Sequence, residues 1–294
     1  MPYYESPVDG TRLHYVDHGP ATGPVAVFVA SAYLGQEMWE YQMLPLAEAG
    51  YRCVALDRRG HGRSDDVWAG YDLDTLAADV HGLLDHLDLR EVTLVGHSVG
   101  TAEAVRCVTR HGTGRVARLA LVSGVSPGLV RSPGLPDGVD PALIDADDQA
   151  FRRDRAAYFE ASADDFFAVH LPGNEVSPAY ARYLIGRCLS ASPRAAHGIR
   201  ALIADLDLTE ELPGLSLPVL VVHGTHDASA PLARTGERVA RLVPDATLKV
   251  YEYGGHGMFV THADLLTADL RDFLGGGPAR NTAPAGSATV PRRG

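Results

Sequence analysis

Lysine is almost absent from this chain: Lys249 is the only one, and arginine supplies the remaining basic charge. Cysteine is scarce too. Cys53, Cys107 and Cys188 are odd in number and form no Cys-x-x-Cys pair, so neither a disulfide framework nor a zinc site is expected. They read as buried free thiols. No run of about 18 apolar residues occurs, which argues against a transmembrane helix. Met1 to Gly10 is polar, without a basic start followed by an apolar stretch, so no signal peptide is expected and the cytoplasm is the expected compartment. Positive charge is in deficit: 26 Lys and Arg stand against 37 Asp and Glu, for a formal net charge of -11. An acidic chain gains nothing from counterion release on nucleic acid and is repelled by anionic membranes, so both are poor partners. A small molecule is the expected partner, and the sequence leaves self-association open.

What is present is an ordinary globular composition. The chain has 294 residues, 46% of them hydrophobic and 21% charged. That is enough for one large domain carrying an insertion. Val25 to Ala30 is a continuous apolar run, as a strand buried on both faces must be. Similar strands are expected at 52–57, 92–96, 119–123, 217–224 and 247–251. Helical spacing fills the intervals at 38–49, 74–87, 98–110, 232–242 and 262–274. Asp72 or Asp74 is a plausible N-cap for the second of these helices. Strand–helix alternation predicts an α/β fold, a mostly parallel twisted sheet with helices on both faces.

The rhythm breaks once. Residues 126–140 are rich in Pro and Gly, and 147 to about 206 reads as helix without an intervening strand. The expected organisation is a core of 1–125 and 216–274, a helical cap insertion at 126–215, and a tail at 275–294. The tail has almost no large apolar residue to offset its ordering entropy and is expected to be disordered.

Gly96-His97-Ser98-Val99-Gly100 falls between a predicted strand and a predicted helix. Gly-x-Ser-x-Gly in that setting is a nucleophile elbow: a sharp turn lifts the hydroxyl above the sheet, and small flanking residues let backbone approach. A serine hydroxyl needs a base, and the base needs a carboxylate to orient it. Asp227 follows the strand ending at Gly224, and His256 follows the strand ending at Tyr251. Both positions lie at the C-terminal edge of the sheet, where α/β ligands bind. Ser98, Asp227 and His256 are therefore the candidate catalytic residues. His61, His97, His223 and His226 read as structural. Arg131, Arg152, Arg153 and Arg155 read as a solvated face, with a substrate carboxylate as the alternative partner.

With those residues in place, the chain resembles the α/β-hydrolase superfamily from about Tyr4 to Leu274. The stretch Asp57-Arg-Arg-Gly-His-Gly-Arg-Ser64 and His111 to Ala117 resemble the cofactor-free haloperoxidases, better described as esterase/perhydrolases. The resemblance implies a Ser-Asp-His enzyme with no metal and no cofactor, and assigns the 57–64 stretch to shaping a turn. The family's usual His-Gly after the third strand is missing. Ala30-Ser-Ala-Tyr-Leu-Gly35, followed by Met38-Trp39, resembles instead the 3-oxoadipate enol-lactone hydrolases. The matching oxyanion-hole donors are the backbone N–H groups of Tyr33 and Val99. Trp39, Phe151, Phe159, Phe167, Met258 and Phe259 are the candidate substrate-binding side chains. Hydrolysis of a small-molecule carboxylic ester or lactone through an acyl-enzyme is the expected function. Perhydrolysis, C–C bond hydrolysis, lyase or cofactor-free oxygenase chemistry on the same residues is the alternative, natural-product biosynthesis included. Ser98 in place of an Asp nucleophile argues against a dehalogenase or epoxide hydrolase. A non-catalytic binding module on the same fold is the third reading.

Overall fold

The architecture is that of a computed structural model describing residues 2–276. The expected disordered tail, 275–294, lies outside the described residues apart from Gly275 and Gly276. Eight strands form one sheet in the order β1-β2-β4-β3-β5-β6-β7-β8. They are β1 (Tyr3–Glu5), β2 (Arg12–His18), β3 (Val25–Val29), β4 (Arg52–Leu56), β5 (Val92–His97), β6 (Val116–Val122), β7 (Val219–Gly224) and β8 (Ala246–Tyr251). β2 pairs antiparallel with β1 and with β4, and every pairing from β4 through β8 is parallel.

The helices are α1 (Glu40–Glu48), α2 (Leu73–His86), α3 (Val99–His111), α4 (Pro141–Arg153), α5 (Arg155–Phe167), α6 (Pro178–Ser190), α7 (Pro193–Asp205), α8 (Gly236–Leu242), α9 (Met258–Thr261) and α10 (Ala263–Leu274). Asp72 caps α2, accepting the Thr75 N–H at 2.9 Å. Between β6 and β7 the chain runs through four helices, α4 to α7, with no strand. Each begins on Asp or Ser: Asp140, Asp154, Ser177 and Ser192 all accept first-turn N–H groups.

The central strands are buried along their length, and their alternation divides the core in two. Val27, Val54, Leu94, Leu119 and Val221 face α2, α3 and α8. Ala26, Phe28, Ala55, Val95, Ala120 and Val222 face α1 and α10. Two parts of the expected pattern differ. The hairpin β1–β2 carries little apolar signal, because β2 holds Arg12, Asp17 and His18 and one of its edges is short. The helix expected at 38–49 begins as a 3-10 turn, Gln36–Trp39, before α1.

The 57–64 stretch does shape its turn, through buried charge. The Asp57 carboxylate accepts the Gln36 and Arg63 N–H groups at 2.8 and 3.0 Å and faces His14 Nδ1 at 2.9 Å. Arg59 is fully buried. Its guanidinium grips Asp79 of α2 at 2.8 and 2.9 Å and Asp9 of the β1–β2 turn at 2.8 Å. Removing one partner of such a pair strands the other charge in the core. Arg59→Met keeps most of the side-chain volume but leaves Asp79 uncompensated. It is expected to lower unfolding free energy by about 3–5 kcal/mol, measured by urea denaturation.

Candidate active site

Ser98 stands at the junction of β5 and α3 with φ 56° and ψ -121°. Positive φ in a residue with a Cβ costs of order 1–3 kcal/mol, so the surroundings must enforce it. They do. Ser98 N–H donates to Val122 of β6 at 3.1 Å, and its carbonyl accepts the Thr101 hydroxyl at 2.6 Å. Any Cβ at Gly96 would meet the Gly100 carbonyl oxygen at 2.4 Å, and one at Gly100 would meet the Val29 oxygen at 2.6 Å. The turn therefore closes only with glycine at both places.

Asp227 and His256 come together from the β7 and β8 loops. His256 Nδ1–H donates to the Asp227 carboxylate, at 2.8 Å from Oδ2 and 3.0 Å from Oδ1. An ionised carboxylate only accepts, so the proton sits on Nδ1 and Nε2 is left as the basic nitrogen. Asp227 also accepts the Ser229 and Ala230 N–H groups at 3.0 and 2.7 Å. Burial alone would raise its carboxyl. The charge and hydrogen bond of His256, with His223 and the Ala230 N–H behind it, outweigh that and hold it below the usual carboxylate range.

The four histidines read from sequence as structural each have a hydrogen-bond partner. His97 donates from Nε2 to the His256 carbonyl at 2.9 Å and packs edge-on against that ring, with centroids 4.8 Å apart. His223 Nε2 lies 2.6 Å from the Ala230 carbonyl, and His61 Nδ1 lies 2.9 Å from that of Arg59. His226 pairs with the Thr225 hydroxyl at 2.9 Å.

Ser98 and His256 line one cavity of about 160 Å³. Its floor is the turn after β3, Ser31 to Leu34. Its walls are one face of α5 (Tyr158, Phe159, Ser162, Ala163, Phe166, Phe167) and one face of α6 (Ala181, Leu184, Ile185, Cys188). A second cavity of about 390 Å³ shares Tyr33, Ser98, Tyr158, Ser162, Phe166 and Ser229 with it. That one continues past Val125, Leu129 and Ile203 toward Asp147 and Arg200. The larger space is thus more polar at its outer end than the smaller one.

Of the six side chains picked from sequence as substrate-binding, Phe159 and Phe167 line the smaller cavity. Trp39, Phe151, Met258 and Phe259 do not. Trp39 packs on Phe28 and His97, with centroids 5.1 and 6.2 Å away, and Phe259 packs on His97 at 5.2 Å. Phe151 stacks behind Tyr33 at 5.5 Å, under the Arg200 guanidinium. Met258 is fully buried in the core beside α10. The lining residues not picked from sequence recur four apart, at Tyr158, Ser162 and Phe166, and so share one α5 face with Phe159 and Phe167. Cys188 is also part of the wall, and burial pushes its thiol up to about 12, so it stays protonated. None of Arg131, Arg152, Arg153 and Arg155 lines either space. Arg155 instead donates to the Cys188 and Ala191 carbonyls at 3.3 and 3.1 Å.

The turn after β3 is the part the family's usual pattern did not foretell. Tyr33 adopts φ 64° there. Neither Tyr33 N–H nor Ala32 N–H has a protein acceptor among the described residues, and the same is true of Val99 N–H at the head of α3. Ala32 is a free donor that the sequence reading did not name.

A family model described as alpha/beta hydrolase fold matches residues 27–263. The chain belongs to this family. As an alpha/beta hydrolase it is 38% identical to a non-heme chloroperoxidase from Kitasatospora aureofaciens over 90% of this chain and 97% of that one. It is 33% identical to a bifunctional esterase/perhydrolase from Acinetobacter calcoaceticus over 92% of this chain and 99% of that one. Among solved structures it superposes on the enol-lactonase from Burkholderia xenovorans LB400 with a TM-score of 0.80 and 27% identity, covering 93% of this chain and 100% of the other. Both resemblances read from the motifs, to haloperoxidase/perhydrolase members and to enol-lactonases, are therefore found in this alpha/beta hydrolase. No described helix is long and apolar enough to cross a membrane.

Burial holds two rings of this alpha/beta hydrolase neutral. His97 and His61 are each lowered to about 3, by burial first and then by the neighbouring charge of His256 or Arg58. The unfolded chain protonates both near 6.5, so it binds protons the fold refuses. Their contribution is whole above about 6.5 and drains away as pH falls toward about 3, at about 1.4 kcal/mol per pH unit for each ring. His97→Gln is expected to remove one ring's share of that slope in urea melts recorded between pH 7 and 4, referred to as a pH series of about 0.5-unit steps.

Proposed function

We propose that this alpha/beta hydrolase cleaves a small-molecule carboxylic ester or lactone through an acyl-enzyme on Ser98. The observation that carries the reading is the His256–Asp227 pair at 2.8 Å, opening onto the same cavity as the strained Ser98. Ser98 Oγ attacks the substrate carbonyl while His256 Nε2 takes its proton. Asp227 fixes the tautomer and stabilises the imidazolium that forms. The backbone N–H groups of Tyr33 and Val99, with Ala32 beside them, receive the oxyanion; each such donor is worth about 3–4 kcal/mol in the transition state. His256 then returns the proton to the leaving oxygen, and water, deprotonated by the same ring, releases the acid. The helices α4 to α7 act as a cap, since α5 and α6 supply most of the apolar wall over Ser98. Phe159 and Phe167 hold the substrate, and the space favours one with a compact apolar portion.

A second reading follows from the relatives named as chloroperoxidase and as esterase/perhydrolase. Hydrogen peroxide can replace water as the second nucleophile. Its attack on the acyl-enzyme forms a peracid and frees the Ser98 hydroxyl, with the proton again carried by His256. The same intermediate serves both, so only the second step separates them.

Incubation with a fluorophosphonate, followed by intact-mass spectrometry, tests the nucleophile. One adduct is expected on the wild type and none on Ser98→Ala. Turnover of aryl esters and lactones should drop by about 10⁴-fold or more in Ser98→Ala and His256→Ala. Unchanged turnover in Ser98→Ala would remove both readings. Peracid formation from a carboxylate and hydrogen peroxide, assayed beside hydrolysis, decides between them.

A further inference from the structure

Arg58 was expected only to shape a turn, and its surroundings give it more to do. Its side chain is buried and makes an ion pair with Glu103 of α3, Nε to Oε1 at 2.8 Å. Glu103 is itself buried. Arg58 Nη2 also lies 2.6 Å from Glu103 Oε1, and both Nη2 and Nη1 donate to backbone. Nη2 reaches the Ala30 carbonyl at 2.7 Å, and Nη1 reaches the Ser31 carbonyl at 3.0 Å. Both carbonyls belong to the turn that lies across from the Ser98 elbow.

The Ser31 carbonyl and the Ala32 N–H are the two ends of one peptide unit. A trans peptide is planar, with C=O and N–H pointing in opposite directions. Arg58 lies outside the cavity and Ala32 lines it, beside Ser98. Holding the carbonyl to Arg58 therefore turns the Ala32 N–H toward the cavity. That N–H has no acceptor within the described protein. The preceding peptide is pinned at both ends as well: its carbonyl by Arg58 and its Ser31 N–H by Met38 Sδ at 3.1 Å. A cation on the carbonyl oxygen also polarises the amide and strengthens its N–H as a donor.

We propose that Arg58, anchored by Glu103, is a positioning residue that aims and strengthens the Ala32 N–H as an oxyanion donor. This rests on the reading of Ser98 as nucleophile. The Glu103 anchor has a second consequence. It sits on α3, the helix that begins at Val99, so the pair ties the two halves of the proposed oxyanion hole to one buried charge network. Lysine cannot replace arginine here, because the three contacts are made from three separate nitrogens of a planar fork, and a single ammonium nitrogen cannot stand at all three places.

The test compares wild type, Arg58→Lys and Glu103→Gln on one aryl ester, with active sites counted by fluorophosphonate labelling. Arg58→Lys should lower kcat per labelled site by about 100-fold while KM moves by less than about twofold, the pattern of a lost transition-state contact. Glu103→Gln, which keeps the acceptor but not the charge, should change kcat in the same direction by about tenfold. In the phosphonylated wild type the Ala32 amide proton should be shifted downfield, and in the variants it should return upfield. A purely structural role would reduce the number of labelled sites but leave kcat per site and the Ala32 resonance alone, and that result overturns the proposal. Should Arg58→Lys fail to fold, Glu103→Gln carries both readouts. A wild type that labels while the variants keep full kcat sinks this inference alone. A wild type that takes no label sinks the nucleophile reading and this one with it.

Discussion

The close backbone contact between the elbow and the end of β3 is the constraint on which the rest depends. The Gly100 Cα faces the Val29 and Ala30 carbonyl oxygens with no room for a methyl group, and Gly96 faces Gly100 in the same way. Only a chain that gives up side chains at both places can bring α3 this near the neighbouring strand. The consequence is positional. The head of α3 and the turn after β3 become adjacent, so Ser98, Val99, Ala32 and Tyr33 meet around one point although some 65 residues of sequence separate them. Both turns that meet there carry a residue with positive φ, Ser98 at 56° and Tyr33 at 64°.

A second contact of the same kind joins the inserted helices to the His256 loop. Gly257 N–H donates to the Phe166 carbonyl at 2.7 Å, and a Cβ at Gly255 would meet that same oxygen at 2.9 Å. Asn174 reinforces the joint, donating to the Ala168 and Tyr253 carbonyls at 3.1 and 2.7 Å. The end of α5 thus rests on the loop that carries the candidate base. From below, His97 holds the His256 carbonyl. The imidazole is held by its own side-chain bond to Asp227 and by backbone bonds on either side.

How far the sequence could be read follows from which kind of force places each part. The parallel strands were legible because burial on both faces leaves continuous runs such as Val25 to Ala30. Ser98, Asp227 and His256 were legible because each follows a recognisable strand, and the sheet edge does the rest. The β1–β2 hairpin was not, since β1 has only three residues and β2 mixes Arg12, His14, Asp17 and His18 with its apolar residues, which spells out no apolar run. The aromatic lining was half legible. Phe159 and Phe167 stood out as large residues, but Phe151, Trp39, Met258 and Phe259 look the same in a sequence and serve packing instead. Spacing would have separated them: the α5 wall recurs with helical period, and the four packing residues share no face with it. Arg58 and Arg200 could not have been told from the solvated arginines by any local pattern. Their partners lie 45 residues away for Glu103 and 52 for Asp148.

Placement by backbone and placement by side chain also separate what the proposed chemistry needs from what selects a substrate. The candidate nucleophile, base and donors are held by glycine contacts, peptide hydrogen bonds and one buried ion pair. The cavity walls are side chains on α5 and α6, and one of them, Phe166, also packs edge-on against the His256 ring at 5.3 Å. Tyr33 belongs to both sets. Its backbone turns at φ 64° beside the free N–H groups, while its ring stacks on Phe151 and meets Phe159 edge-on at 5.2 Å. Its hydroxyl accepts from Arg200 at 3.4 Å, and Arg200 is bound in turn to Asp148 of α4 at 2.9 Å. A change in the packing of α4 or α7 therefore reaches the turn after β3 through this one ring, and α6 reaches the same turn through Arg187, which donates at 2.7 Å to the Glu37 carboxylate that accepts the Gly35 N–H at 3.3 Å. Repacking the inserted helices on either side therefore bears on the proposed donors as well as on the cavity walls, so substrate choice and the proposed chemistry are coupled through this turn.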